Sequence, residues 1–270
     1  MQSASGGSCQ GFGGVPRFSL SPKNGGLRGL LRTFVNAPIK TTLAFLTTPA
    51  KIDPMKTSTL EEYLQPTELC DFDHPEIRAK ATELTEGCRT TRQKFQRLFG
   101  FVKELPYGLE DWDVAASETL AKGWGMCSGK SNLLVALLRS VGIPAGYRVY
   151  RIKAEVNLWI EVTGTGDLSQ RLGVAPGGQD HVDCGVWLGK WHTCDPARDT
   201  PLERGMKALG MPLKRESIPD ASGRVHYIIL SNFDNWARQR QSRRMIREDR
   251  AETFARVNEQ FSRIRALGKT

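Results

Sequence analysis

The sequence has no CxxC pair, no run of about 18 apolar residues, no complete phosphate-binding loop and only four histidines among its 270 residues. Each absence narrows the chemistry. Six cysteines, at 9, 70, 88, 127, 184 and 194, fall into no regular framework. A chain of this length can bury a core without staples, so they read as reduced thiols in a reducing compartment, with a cytoplasmic location expected. The missing apolar run argues against a conventional membrane span. Gly129-Lys130-Ser131 has the ending of a phosphate loop, but such a loop needs a glycine five residues earlier, where Trp124 stands. Acidic residues are also missing from the start of the chain, where none precedes Asp53.

The net charge of +9 is unevenly spread. Residues 1–55 carry six Lys/Arg against one acid, residues 232–270 carry ten against five, and residues 56–231 hold 22 basic and 23 acidic residues. A near-neutral centre is expected of an enzyme-like domain rather than a nucleic-acid platform. Three parts follow: a disordered or weakly structured basic extension over 1–55, an enzyme-like domain over 56–231, and a basic amphipathic helix over 232–270. The Gly- and Ser-rich leader 1–54 lacks the layout of a secretory signal, though organelle targeting stays open. The Arg-rich stretch 238–250 reads as the solvated face of a docked helix, with Phe254, Val257, Phe261 and Ile264 on its buried stripe.

The centre of the chain is organised around Gly125-Met126-Cys127 and the apolar run after it. Leu134, Leu137, Leu138 and Val141 follow helical spacing, Leu133, Val135 and Ala136 fill other sides, and Gly142 and Pro144 end the segment. Cys127 therefore opens a buried helix, where unpaired N–H groups and the helix dipole favour a thiolate. Upstream, Asp73 is the expected cap of a helix carrying Ile77, Ala81 and Leu84, and Phe95, Leu98, Phe99 and Val102 predict a second helix stopping before Pro106. A short helical piece is expected over 114–120. Downstream the pattern turns to strands, at 147–152, 157–162, 181–188, 191–195 and 225–230, with a glycine-rich loop over 164–178. Helices followed by an antiparallel sheet predict the α+β class.

A cysteine nucleophile works with a histidine to take its proton and a carboxylate to orient the ring. His74 sits in a capping turn and His226 stands apart, which leaves His181 and His192, both near Asp195. His192 alternates away from Asp195 along its strand and is read as structural. His181, Asp183, Cys184, His192, Cys194 and Asp195 crowd one hairpin, but they have no recognisable ligand spacing, so no metal is expected.

These motifs together resemble the transglutaminase-like superfamily. The matching residues are Gly125-Met126-Cys127, the helix end Leu137-Leu138-Arg139-Ser140-Val141-Gly142-Ile143-Pro144, His181, and Trp191 through Asp195-Pro196, with Pro75-Glu76-Ile77 and Leu105-Pro106-Tyr107 as lead-in. The family usually has an aromatic two residues after the histidine, and Asp183 stands there. The resemblance implies a papain-like core with helices packed on an antiparallel sheet and the cysteine at the start of a central helix. It further implies that Cys127 attacks an amide carbonyl, His181 acts as base and then acid, and Asp195 orients His181. The Cys127 N–H would help hold the oxyanion, with Trp124 a candidate second donor. A peptide or protein amide is the implied substrate and no cofactor is implied; a non-catalytic binding module of the same fold is the alternative.

One geometric condition comes with this reading. A two-residue turn at Gly189-Lys190 would pair Cys184 with Asp195 and turn His181 away from it. A bulge or a three-residue loop is required to restore the parity.

Overall fold

The computed structural model describes residues 59–153, 178–242 and 247–269. The extension 1–55, the expected strand 157–162 and the expected loop, apart from Gly178, lie outside the described residues. The described residues all fall within one compact unit, Thr48–Thr270.

Helix α1, Pro75–Thr85, buries Ile77 and Ala81. Its cap is His74, whose Nδ1 accepts the Glu76 N–H at 3.3 Å, and not Asp73 as the sequence suggested. Pro75 decides this, because its fixed φ and missing N–H suit the first helical position and leave the cap to the residue before it. Helix α2, Thr91–Glu104, opens with a capping box of Thr90 and Gln93 and buries Leu98 and Val102. Helix α3, Ala116–Lys122, ends at Gly123, which takes φ +70°.

Helix α4, Cys127–Ser140, is buried on every side from Cys127 to Arg139. It forms the middle of the main core, with Leu98 and Val102 of α2 and the sheet residues Tyr147, Val149, Val182, Cys184 and Val186. Its end is held by Arg139, which donates to the carbonyls of Gln65 (2.5 Å), Ala145 (2.7 Å) and Ser231 (2.6 Å). Gly142, at φ +77°, turns the chain out.

The sheet is antiparallel throughout, in the order β3-β2-β1-β4, with β1 Ala145–Ile152, β2 Gln179–Trp187, β3 Trp191–Cys194 and β4 Ile228–Leu230. The arrangement is the α+β class that the sequence predicted. Trp187 pairs with Trp191 and Cys184 with Cys194, so residues 188–190 make a three-residue loop with Gly189 at φ +84°. This is the parity correction that the chemistry required.

After β3, α5 (Thr200–Ala208) and two further helices, α6 (Asp234–Ser242) and α7 (Arg247–Leu267), complete the described chain. Val257, Phe261 and Ile264 of α7 bury themselves against Leu202, Met206 and Met211. Gly205 allows this contact: a Cβ there would lie 1.9 Å from the Ile264 carbonyl oxygen. Arg238 and Arg240 of α6 pair with Glu68 and Asp180. No described helix is long and apolar enough to cross a membrane.

Candidate active site

Cys127 is the first residue of α4 and is 4% exposed. The first turn of a helix leaves N–H groups without intrahelical acceptors, so the thiol sits at a positive pole. His181, near the start of β2, pairs with Tyr150 across the ladder, and the Tyr150 ring meets the imidazole edge-to-face at 5.4 Å. With the three-residue loop, Asp195 follows β3 on the same face as His181 and Asp183, and the ligand atoms of these three side chains lie within 4.8 Å of one another. The His181 Nε2–H donates to Asp195 Oδ2 at 3.0 Å. Cys127 is among the groups that act on the same imidazole, favouring its charged form, and Asp195 occupies only the Nε2 side of the ring. His192 pairs with Val186, which puts it on the opposite face.

Charge is distributed to match. Burial and the nearby Arg215 push the His181 imidazole toward its neutral form. The Asp195 carboxylate, its hydrogen bond and the contact with Cys127 outweigh them and raise the pKa to about 9. Burial disfavours a charged Asp195, but Arg215, His181 and the Ala197 N–H hold its carboxyl well below the usual range. The Ala197 N–H reaches Asp195 Oδ1 at 2.9 Å. The site thus sets a thiol at a helix amino end and an imidazole bonded to a carboxylate, in surroundings that favour the charged ring.

Four residues carry structural weight here that the sequence reading did not assign: it met Asp183 only as a metal candidate and family departure, met Lys130 only in the phosphate-loop look-alike, and passed over Glu110 and Arg215. Asp183 is 1% exposed and both its oxygens are taken, by the Arg148 guanidinium fork at 2.8 and 2.6 Å and by the Tyr150 hydroxyl at 3.1 Å. Burial raises its pKa against the pull of Arg148. Arg148 also lies over the Tyr150 and Tyr227 rings. With Asp183 held by Arg148 and Asp195 by Arg215, a cation at the His181–Asp183–Asp195 cluster would have to displace two guanidinium groups, so the donor set does not fit a metal ion.

Glu110 lies under the start of α4. Its Oε1 accepts the Met126 N–H at 2.8 Å and its other oxygen pairs with Lys122. The carboxylate fits because Gly125 and Gly129 have no side chains: a Cβ on Gly129 would stand 2.5 Å from Oε1, and one on Gly125 3.1 Å from it. Lys130 is fully buried and its Nζ donates to the carbonyls of Leu105 (2.6 Å), Ala197 (2.8 Å) and Lys103 (3.2 Å). Burial pushes its pKa down to about 7. Gly129 and Lys130 of the phosphate-loop look-alike thus serve a buried carboxylate and three backbone carbonyls. The paired glycines were the only sequence signal for Glu110. Arg215, the fourth residue, lies in an unpatterned segment and left none.

The backbone that leads into α4 is tied to the C-terminal helix. Gly125 pairs with Tyr107, its N–H donating to Pro106 O and its carbonyl accepting the Gly108 N–H, both at 3.1 Å. Asn258 of α7 receives the Leu109 N–H at 2.6 Å and returns a bond to Leu109 O at 3.0 Å. Arg265 bridges Tyr107 O and Asp199, whose Oδ2 accepts the Tyr107 N–H at 2.8 Å. Trp124 packs over Gly108, with the Lys122 ammonium 4.8 Å from its ring.

Residues 78–196 match the family model of the transglutaminase-like superfamily. No curated protein matches the chain. Among solved structures, a candidate cysteine protease from Cytophaga hutchinsonii is similar at 19% identity with a TM-score of 0.40, over 66% of this chain and 53% of that one. This chain therefore spans about half the length of that protein, and a likeness so distant carries no argument for function. The family match supports a cysteine-dependent enzyme at the level of the family. The stretch that matches this family model carries Cys127, His181 and Asp195.

Proposed function

We propose that the protein is a cysteine-dependent enzyme acting on amide bonds, with Cys127 as nucleophile, His181 as general base and acid, and Asp195 as the group that orients His181. The observation that supports it most is the His181 Nε2–Asp195 Oδ2 hydrogen bond at 3.0 Å, on an imidazole that Cys127, at the head of α4, also acts on. In this reading the thiol proton rests on His181. The thiolate sulfur adds to the amide carbonyl carbon, and the oxyanion is held by the Cys127 N–H with Trp124 as a candidate second donor. The tetrahedral adduct expels the amine as the C–N bond breaks, and His181 gives that nitrogen its proton. A thioester on Cys127 remains. His181 then takes a proton from water, whose oxygen displaces the sulfur to give a carboxylic acid; an amine in place of water gives a new amide. Hydrolysis is the reaction we favour, on a peptide or protein amide.

Site-resolved alkylation by iodoacetamide, followed by mass spectrometry across pH, tests the assignment. Cys127 is expected to react well below pH 8, about tenfold or more faster than Cys70, Cys88, Cys184 and Cys194, and to lose that advantage in His181→Ala. Burial pushes the Cys70 thiol up to about 11, so it is an internal standard for an inert cysteine. A Cys127 that is inert, or whose rate ignores His181, would refute the catalytic reading and leave a binding module of the same fold.

A further inference from the structure

The segment after α5 returns along the end of β1. The Lys153 N–H donates to Glu216 O at 2.8 Å and the Ile218 N–H to Arg151 O at 2.9 Å, with Ile152 bridged to Ser217. Arg215 immediately precedes this anchored stretch, and its side chain is only 14% exposed. Its Nη1 pairs with Asp195 Oδ2, the same oxygen that accepts from His181 Nε2. The other oxygen, Oδ1, is occupied by the Ala197 N–H at 2.9 Å. The carboxylate is therefore immobilised on both sides, and its charge is divided between a guanidinium and an imidazole.

We propose that Arg215 is a positioning residue of this site, which shares Asp195 Oδ2 with His181 so that the imidazolium is held in place yet can still give up its proton. The inference rests on the catalytic reading of Cys127, His181 and Asp195. An imidazolium flanked by a thiolate and an undivided carboxylate is a poor proton donor to a leaving amine, because a catalytic acid works best with a pKa near the working pH. A cation against the same carboxylate oxygen weakens that hold without moving the ring. The direction of the Arg215 effect on His181, toward the neutral form, agrees.

The charged and titratable groups around the pair come from every neighbouring element. Cys127 of α4, Tyr150 of β1 and Asp183 of β2 face His181. Lys130 of α4 and Cys194 of β3 act on Asp195 or are acted on by it. Arg148 is committed to Asp183. Besides the His181 ring, Arg215 bonds directly to Asp195.

The test is an NMR titration of the His181 ring in the full chain, its signal identified by loss in His181→Gln, with His74, His192 and His226 as internal references. It is run on the wild type and on Arg215→Gln, Arg215→Met and Arg215→Lys. Loss of the charge is expected to move the His181 midpoint up by about one unit in either neutral variant, and Arg215→Lys to stay within a few tenths of the wild type. Two neutral variants of different polarity guard against one of them failing to fold, and Arg215 lies in the stretch between α5 and β4, outside the helices and the sheet. An unmoved midpoint overturns the proposal. So does a fall toward about 6.5, the value of an unperturbed imidazole, which is what a merely structural arginine would produce. Alkylation of Cys127 in the same samples separates the two claims. A wild-type Cys127 that ignores His181 overturns the catalytic reading and Arg215's part in it, whereas a His181-dependent Cys127 with an unmoved midpoint overturns Arg215 alone.

Discussion

Replacing Gly129 by alanine opposes two effects of known size. Gly129 lies in the first turns of α4, where alanine is intrinsically better than glycine by about 1 kcal/mol. Its Cβ, however, would stand 2.5 Å from Glu110 Oε1 and 2.8 Å from Thr119 Oγ1. Neither atom can retreat cheaply. Glu110 is 7% exposed and bonded to the Met126 N–H and to Lys122, and the Thr119 hydroxyl is bonded to Ala115 O. Overpacking costs about 1–3 kcal/mol. Breaking the charged bond from Glu110 to Met126 costs about 1.5–3 kcal/mol more where it occurs. The expected net is a loss of about 2 kcal/mol, or about 6 °C in Tm for a domain of this size. Gly100→Ala is the internal control: it also lies in a helix interior, with nothing within 4 Å of its Cβ, and is expected to raise stability by about 0.5–1 kcal/mol. Thermal melts followed by circular dichroism read both. If Gly129→Ala melts at or above the wild type, the Glu110 slot is not the rigid feature described, and helix propensity is what governs the position.

Other outcomes follow from the same geometry. Lys130→Met leaves three buried carbonyls without their donor and is expected to cost about 3 kcal/mol or more in urea unfolding, far beyond an exposed lysine such as Lys190→Met. His181, raised to about 9, stabilises the fold fully below its unfolded pKa of about 6.5 and loses that contribution as pH rises through 9. Wild-type stability should therefore fall between about pH 6.5 and 9 by up to about 3 kcal/mol, a slope that His181→Gln should flatten; equal slopes would show the imidazole is not held as a cation. Asn258→Ala frees the Leu109 backbone and is expected to lower Tm by a few degrees, about 1–2 kcal/mol, and to slow Cys127 alkylation through the Tyr107–Gly125 pairing. A melting loss with unchanged alkylation would confine Asn258 to stability.

The buried helix that begins at Cys127 was legible because its periodicity, its flanking Gly125 and Gly142 and its apolar sides all state the same local preference. The helix-then-strand order was legible for the same reason, since side-chain spacing and turn residues are local properties. Register was legible only as a condition. The sequence showed that His181 and Asp195 share a face if the β2–β3 loop holds three residues, but loop length depends on pairing energies across the whole ladder, and the Trp187–Trp191 pair settles it only once both strands are in place. The structural roles of Glu110, Lys130, Asp183 and Arg215 were not legible. Each is a charged residue whose meaning comes from partners distant in the chain: Met126, Ala197, Arg148 and Asp195. Burial of a charge is a property of the folded surroundings, and no spacing in the sequence encodes it. Periodicity and turn chemistry determined which elements form and where the thiol sits, and tertiary packing alone decided which charges surround it.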